Sequence, residues 1–458
     1  LRRSRIADYA QRHDAALRHL WPLGERIVSR LAASRARAAN GFVKRPPLIG
    51  IGLLALSLLT ACTTDSPGLS KPSSERLPSE SAPPSPPIQT ASRTPEPSAS
   101  ASSEPYTQEA TLLAVGDIMV HMPQLPAYYN KAGDRYDLRP WFSQVRPILQ
   151  TGDWVVGNLE TPIAGKDLKY TGYPRFNAPD ELAAAIRYSG IELVSTANNH
   201  TLDRGVPGVT RTLAAVRKAG LIPFGSSASA TDQRRLVIEE RNGIRMGFLS
   251  YTYGTNGIPI PSGRAYAVNL IDPDTIKKDI AKLRQADADV VTVSLHFGVE
   301  YQRMPNQEQT KLVKELIRSG ADIILGSHPH VVQPYDMIEI SAAESRDGKA
   351  RTGIVIYSLG NFISNQTGSW KDVGLIFGVR MTKTTHPNGV SEIQWNEITT
   401  EPTWVHIIEK QKKRHYTVIP LRSELKQRSF AELTAQDYAK MKTMLKGLDQ
   451  HLQRLQAS

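Results

Sequence analysis

Five apolar runs in this chain end on residues that can ligate metals. LLAVGD closes on Asp117, WVVGNLE on Glu160, ELVSTANNH on Asn199 and His200, VVTVSLH on His296, and IILGSHPH on His328 and His330. In α/β sheets the side chains just beyond parallel strand ends converge on one rim, where sites form. Carboxylate, amide and imidazole donors drawn from five segments suit a borderline divalent ion such as Mn, Fe or Zn. Two such ions, about 3.5 to 4 Å apart, would clamp an attacking and a leaving oxygen in a hydrolytic centre. Each residue alone has a plainer role open to it. Asp117 would serve as a turn or cap residue, Glu160 in an ion pair, Asn199 in a turn of unusual backbone, His296 as a satisfied core histidine and His328-Pro329-His330 in a surface loop. Five coincidences at strand ends make the joint ligand reading the stronger one. The basic run Lys412-Lys413-Arg414 has no such company and reads as a solvated face.

Placing those ends on one rim requires strands alternating with helices, and the hydrophobic pattern supplies them. Strands are expected at 111–117, 154–159, 191–197, 236–240, 245–252, 290–297, 323–325 and 353–359, with amphipathic helices at 179–189, 206–219, 273–285 and 306–319. The alternation argues for an α/β domain with sheets buried between helices. Asn242-Gly243 between two apolar strands reads as a tight hairpin turn. Beyond about 365 the chain is richer in strand pattern, and 430–455 reads as a last amphipathic helix.

The chain has 458 residues, 40% hydrophobic and 22% charged, with 32 Gly, 31 Pro and one Cys, which excludes a collagen and a disulfide-stapled miniprotein. Its formal charge is +12, but residues 1–45 hold eleven Lys or Arg against three acids and supply +8 of it. The remaining +4 is spread over 413 residues, so no nucleic-acid partner is expected. The cysteine, Cys62, follows two positive charges, a 12-residue apolar run at 48–59 and the small residues Thr60 and Ala61. That run is shorter than the roughly 20 residues a membrane-spanning helix needs and fits the apolar region of a secretory signal. The whole pattern resembles the lipobox of bacterial lipoproteins, whose cysteine is lipidated and begins the mature chain. The expectation is therefore a signal peptide at 44–61 and a lipid anchor on Cys62, against a buried apolar segment with an incidental thiol. Upstream, 1–43 is a basic extension, read as a misplaced start in preference to a cytoplasmic helix. Between 63 and 105 stand 12 Ser and 10 Pro with no aromatic residue, a composition expected to stay disordered as a stalk.

Six ordered motifs carry a resemblance: GDIMVH (116–121), GNLETPI (157–163), STANNHTLDRG (195–205), LHFGVEY (295–301), GSHPHVVQP (326–334) and YSLGNFIS (357–364). Together they resemble the bacterial CapA family of capsule, or poly-γ-glutamate, synthesis proteins over roughly 109–366. That family is similar in turn to the calcineurin-like metallophosphoesterases, which implies a four-layer αββα sandwich of metallophosphoesterase type at 106–366, with two divalent metal ions. The resemblance implies that Asp117 binds the first ion and Glu160 bridges, that Asn199, His296 and His328 bind the second, and that His330 returns to the first. It makes His200 a general acid oriented by Asp203. His121, Asn158, Glu300 and Asn361, inside the same motifs, are expected in supporting roles. The phosphoesterase Asp-x-His, Gly-Asp-x-x-Asp and Gly-His-x-His elements are each altered here, so the bridging role of Glu160 is inferred from position. Residues 367–458 are expected to complete or flank the domain. The functional expectation is an extracytoplasmic lipoprotein on the outer face of the bacterial cytoplasmic membrane, acting in capsule or poly-γ-glutamate synthesis or export. Its expected partners are the anionic polymer and membrane synthase subunits; the alternative is a secreted two-metal hydrolase acting on an envelope polymer.

Overall fold

The structure, a computed structural model, describes residues 104–456. The basic extension at 1–43, the signal segment at 44–61, Cys62 and nearly all of the Ser/Pro-rich linker lie outside the described residues.

In chain order the main strands are β1 (Tyr106–Ile118), β2 (Trp154–Leu159), β3 (Leu193–Ser195), β4 (Ile222–Phe224), β5 (Val237–Arg241), β6 (Ile244–Thr252) and β7 (Val290–His296). They continue with β8 (Ile323–Ser327), β9 (Val332–Ile340), β10 (Arg351–Leu359), β11 (Asn361–Ile363), β12 (Val373–Thr385), β13 (Ser391–Lys410) and β14 (Lys413–Pro420). The helices that cover them are α1 (Glu181–Ser189), α2 (Gly205–Lys218), α3 (Pro273–Gln285), α4 (Gln307–Arg318), α5 (Leu421–Gln427) and α6 (Ala435–Leu452). One sheet runs β14-β13-β12-β1-β2-β3-β4, with β11 also paired to β1. The other runs β9-β10-β8-β7-β6-β5. Each has a parallel centre, β1 to β4 in the first and β6-β7-β8-β10 in the second, with antiparallel strands outside it.

Strand alternation explains the layers. Leu112 and Ala114 of β1 face the second sheet, meeting Phe248, Ile323 and Ile356, whereas Leu113 and Val115 face outward onto Leu182 and Ile186 of α1 and Val216 of α2. In the second sheet Ile323 and Leu325 point to the inter-sheet core, while Ile324 joins Ile280 of α3 and Leu316 of α4 on the outer face. The result is helices, sheet, sheet, helices, as the resemblance implied. Strands buried on both faces read as near-continuous apolar runs, and each fully buried Leu, Ile or Phe stabilises the fold by about 1.5 to 3 kcal/mol.

The helix starts are written locally. Asp272 caps α3 by accepting from the Thr275 amide, with Pro273 at the first position, and Asn306 with Gln309 forms a capping box on α4. The expected terminal helix at 430–455 is α6 (Ala435–Leu452), and a shorter helix, α5, precedes it. Arg428 ends α5 in the left-handed region (φ 50°), and the Thr434–Asp437 capping box starts α6. Strand β12 pairs with β1 along ten residues, so the segment after 366 is built into the first sheet. No helix among the described residues is long and apolar enough to cross a membrane.

Candidate metal centre

The carboxyl ends of the parallel strands meet at one rim. Asp117 lies near the end of β1, in register with Asn158 of β2 and Asn361 of β11. His296 is the last residue of β7 and sits opposite Ser327 of β8 and Thr252 of β6. Glu160 follows β2, Asn199 and His200 follow β3, and His328 and His330 follow β8. All of these are buried, with at most 7% of their surface exposed. Gly116 makes the approach of β1 to β11 possible: the Asp117 amide donates to the Gly360 carbonyl at 2.9 Å, and a Cβ on residue 116 would meet that oxygen at 1.9 Å. His328 (φ 102°) and His330 (φ 57°) are both held in backbone conformations L-residues rarely adopt. Such strain persists only where the surroundings enforce it, and it clusters at functional sites.

The side chains form one connected network. Asn158 Nδ2 donates to Asp117 Oδ1 at 2.8 Å and to Glu160 Oε2 at 3.3 Å. Asp117 Oδ2 lies 3.0 Å from His330 Nδ1, which is also 3.2 Å from Asn361 Oδ1. His296 Nε2 is 3.0 Å from Asn199 Oδ1 and 3.4 Å from Glu160 Oε1. Two groups have donor atoms within 4.8 Å of one another: Glu160 with His328 and His330, and Asp117 with Glu160 and His296. Glu160 belongs to both.

Burial and charge act in opposite directions on these groups. Burial pushes the Asp117 carboxyl up, but the hydrogen bond and charge of His330 outweigh it and hold the acid at about 2. Burial next to the charge of Asp117 drives Glu160 well above the ordinary carboxyl range. His330 is pushed down by burial and raised more strongly by Glu160 and Asp117, to about 9. His296 and His328 fall to about 3, burial being the main cause. Buried acceptors Glu160 Oε1 and Asn158 Oδ1, and Nδ1 of His328, have no hydrogen-bond partner among the described residues. Unpaired buried polar atoms are costly, and carboxylate, imidazole and amide are the donor set for a Mn-, Fe- or Zn-like ion. The residues present therefore fit divalent metal.

A second unit adjoins this one. His200 Nδ1 lies 2.8 Å from Asp203 Oδ2, which also accepts from the Phe176 amide at 2.7 Å. The Phe176 ring packs edge-on to His200 at 4.6 Å. This fixes the imidazole and leaves Nε2 without a hydrogen-bond partner among the described residues. A cavity of about 360 Å³ lined by Tyr173, Arg175, Asn199, His200, Asn256 and Glu300 opens here. A larger one, about 660 Å³, lies beside β4 to β6 and includes none of the centre's residues.

Of the expected ligands the structure brings together Asp117, Glu160, Asn199, His296, His328 and His330, with Asn158 and Asn361 as direct hydrogen-bonding neighbours. It does not bring His121 into contact with the carboxylates. That residue accepts from the Asn365 amide at 3.4 Å and packs on Phe176, and burial lowers it to about 4. Glu300 stands exposed on the loop after β7. Two tyrosines were not anticipated as site residues. Tyr253 follows β6 on the same rim, its ring 4.6 Å from His328, and Tyr301 lies 6.2 Å from His330. The strand-end rule applied to β6 would have found the first, and the second closes the LHFGVEY motif.

A family model described as "Bacterial capsule synthesis protein PGA_cap" matches residues 111–366, a segment that contains every residue of the centre. The chain is 31% identical over 268 residues to the capsule biosynthesis protein CapA of Bacillus anthracis, covering 57% of this chain and 61% of that protein. It is 30% identical over 261 residues to the PGA biosynthesis protein CapA of Bacillus subtilis (strain 168), covering 55% and 62%. The match thus spans about three fifths of the length of these relatives. Among solved structures, a calcineurin-like phosphoesterase from Bacillus subtilis aligns over 64% of this chain and 91% of its own, at 15% identity and a TM-score of 0.38, too low to carry chemistry across.

Proposed function

The chain belongs to the bacterial capsule synthesis family PGA_cap, and from that premise we propose that it is an accessory protein of capsule or poly-γ-glutamate assembly with a divalent-metal centre at its strand-end rim. The observation that carries this reading is the coincidence of two facts: the family match encloses the rim, and three of the rim's buried atoms, Asn158 Oδ1, Glu160 Oε1 and His328 Nδ1, have no hydrogen-bond partner among the described residues. In the same reading the protein works outside the cytoplasmic membrane, held there by a lipid on Cys62, and hands polymer to or from membrane synthase subunits. Multiple acyl chains would anchor it stably where one would be marginal.

Asp117, Glu160, Asn199, His296, His328 and His330 would hold the metal, which when bound supplies Lewis-acid polarisation of an oxygen. Asn158 and Asn361 orient that set, the first by donating to both carboxylates and the second by accepting at His330 Nδ1. His200, fixed through Nδ1 by Asp203, holds or releases a proton at Nε2 beside the cavity. The hydrolase alternative rests on this pair together with the full ligand set.

The test is deletion of the gene with complementation by wild type and by a His328→Ala, His330→Ala variant, reading surface polymer. Loss of polymer, restored by wild type only, is expected. Unchanged polymer after deletion would sink the assembly role, and turnover of a generic phosphodiester by the purified protein would favour the hydrolase.

A further inference from the structure

The loop that leaves β7 passes the centre at Tyr301, whose amide donates to the Pro329 carbonyl at 2.8 Å. Two residues on, within about 7 Å of backbone, Arg303 lays its guanidinium over the Trp370 ring, 4.3 Å from the ring centre. Nε and Nη2 of Arg303 are buried and have no hydrogen-bond partner among the described residues. Burial and the like charge of Arg454 both lower its proton affinity, with no carboxylate offsetting them. Lys371, next to Trp370, holds Nζ 5.1 Å from the Tyr301 ring centre, and its carbonyl accepts from Asn361 at 2.8 Å. The chain from Gly368 through Ser369 to Trp370 has three successive positive φ angles, 70°, 50° and 68°. Two of these are non-glycine residues in a region they rarely adopt, strain that serves to hold the indole in place.

The acids nearby are already engaged or act elsewhere. Asp372 lies 3.3 Å from Lys440 Nζ and accepts from Trp404 Nε1 at 3.2 Å. The charge of Glu300 bears on Tyr301 and on His296, His328 and His330, not on Arg303. What results is a cationic flank with buried, unpaired N–H groups, joined to the centre through Tyr301 and Asn361. Such N–H groups are costly until an acceptor arrives, and a carboxylate meets a guanidinium fork with two parallel hydrogen bonds.

We propose that Arg303, braced on Trp370 and flanked by Lys371 and Arg454, forms a carboxylate subsite that grips a poly-γ-glutamate chain beside the metal centre. The assignment rests on the reading of the protein as an accessory of that polymer's assembly. It gives the rim a direction, with polymer entering over the β7–α4 loop toward the centre.

The test titrates the full chain, Arg303→Gln and Arg454→Gln with poly-γ-glutamate, with the same polymer amidated at its carboxyls, and with polyphosphate, at low and high salt. Wild type should bind poly-γ-glutamate and not the amidated polymer. Arg303→Gln should weaken binding roughly ten-fold or more, the loss of a charge-assisted pair, and Arg454→Gln by less, with metal content unchanged in both. Arg454 is exposed, so its variant folds and keeps the test valid if Arg303→Gln does not. Wild-type affinity in the folded variants would overturn the subsite and leave the assembly role standing. Preference for polyphosphate, or no polymer binding by wild type, would overturn the carboxylate assignment, while the deletion phenotype judges the assembly role independently.

Discussion

A metal bound at the rim would compete with the proton on His330, and that competition would set a measurable slope. With the imidazole raised to about 9 by Glu160 and Asp117, only about one molecule in a hundred carries it neutral near pH 7. A metal that takes this nitrogen must expel the proton, which weakens apparent binding about 100-fold at that pH, about 3 kcal/mol. The sign follows from the direction of the shift. The proton is held throughout the range below the folded value, so apparent affinity should rise about ten-fold per pH unit up to about pH 9 and then flatten. Asp117, held at about 2, and His296 and His328, at about 3, carry no proton near neutrality and release none. Glu160, raised well above the ordinary range by burial, adds whatever proton it holds. Calorimetric titration with Mn²⁺ in two buffers of different ionisation enthalpy would read the proton count directly, and repeats between about pH 6.5 and 8 would read the slope. The expected release is at least one proton per site. Zero release with pH-independent affinity would mean that His330 is neutral before metal arrives, and the charge balance argued here would be wrong.

Elemental analysis should find transition metal in the wild-type protein and less of it in the His328→Ala, His330→Ala variant, because one of the two donor groups then keeps only Glu160; an unchanged metal content would place the site elsewhere. Asp203→Ala leaves the His200 imidazole and the Phe176 amide without their shared acceptor, and should cost about 2 to 4 kcal/mol in denaturant unfolding while leaving metal content intact. Gly116→Ala puts a Cβ 1.9 Å from the Gly360 carbonyl and should cost about 3 kcal/mol or more and weaken metal binding by shifting Asp117. Gly254→Ala, with no atom within 4 Å of the added carbon, is the control, and equal stability of the two would refute the close-approach argument.

How much of this was legible in the chain can be argued residue by residue. The strand ends were, because a strand buried on both faces reads as an unbroken apolar run, and the residue that breaks it marks the rim: Asp117, Glu160, His296 and His328 are all found that way. So was the α/β class, since helical and strand periods alternate along the chain, whereas the four-layer order came from the resemblance of the motifs.

Strand partnership was not legible, because the two-residue period says which face is buried and nothing about what lies beside it. β1 borrows β12 from more than 250 residues away, so whether the C-terminal segment completes the domain or only flanks it stays open until the sheet is seen. The same limit hid the roles of Asn158 and Asn361, which become orienting groups only when registers align them with Asp117. The placement of Glu160 between two donor groups, the strain at His328 and His330, and the unpaired N–H groups of Arg303 are all consequences of distance and desolvation. The sequence determined which chemical groups this protein owns and which end of each strand carries them; only the tertiary structure decided which groups share a volume from which water is excluded, and charge and hydrogen-bonding energies are set by that exclusion.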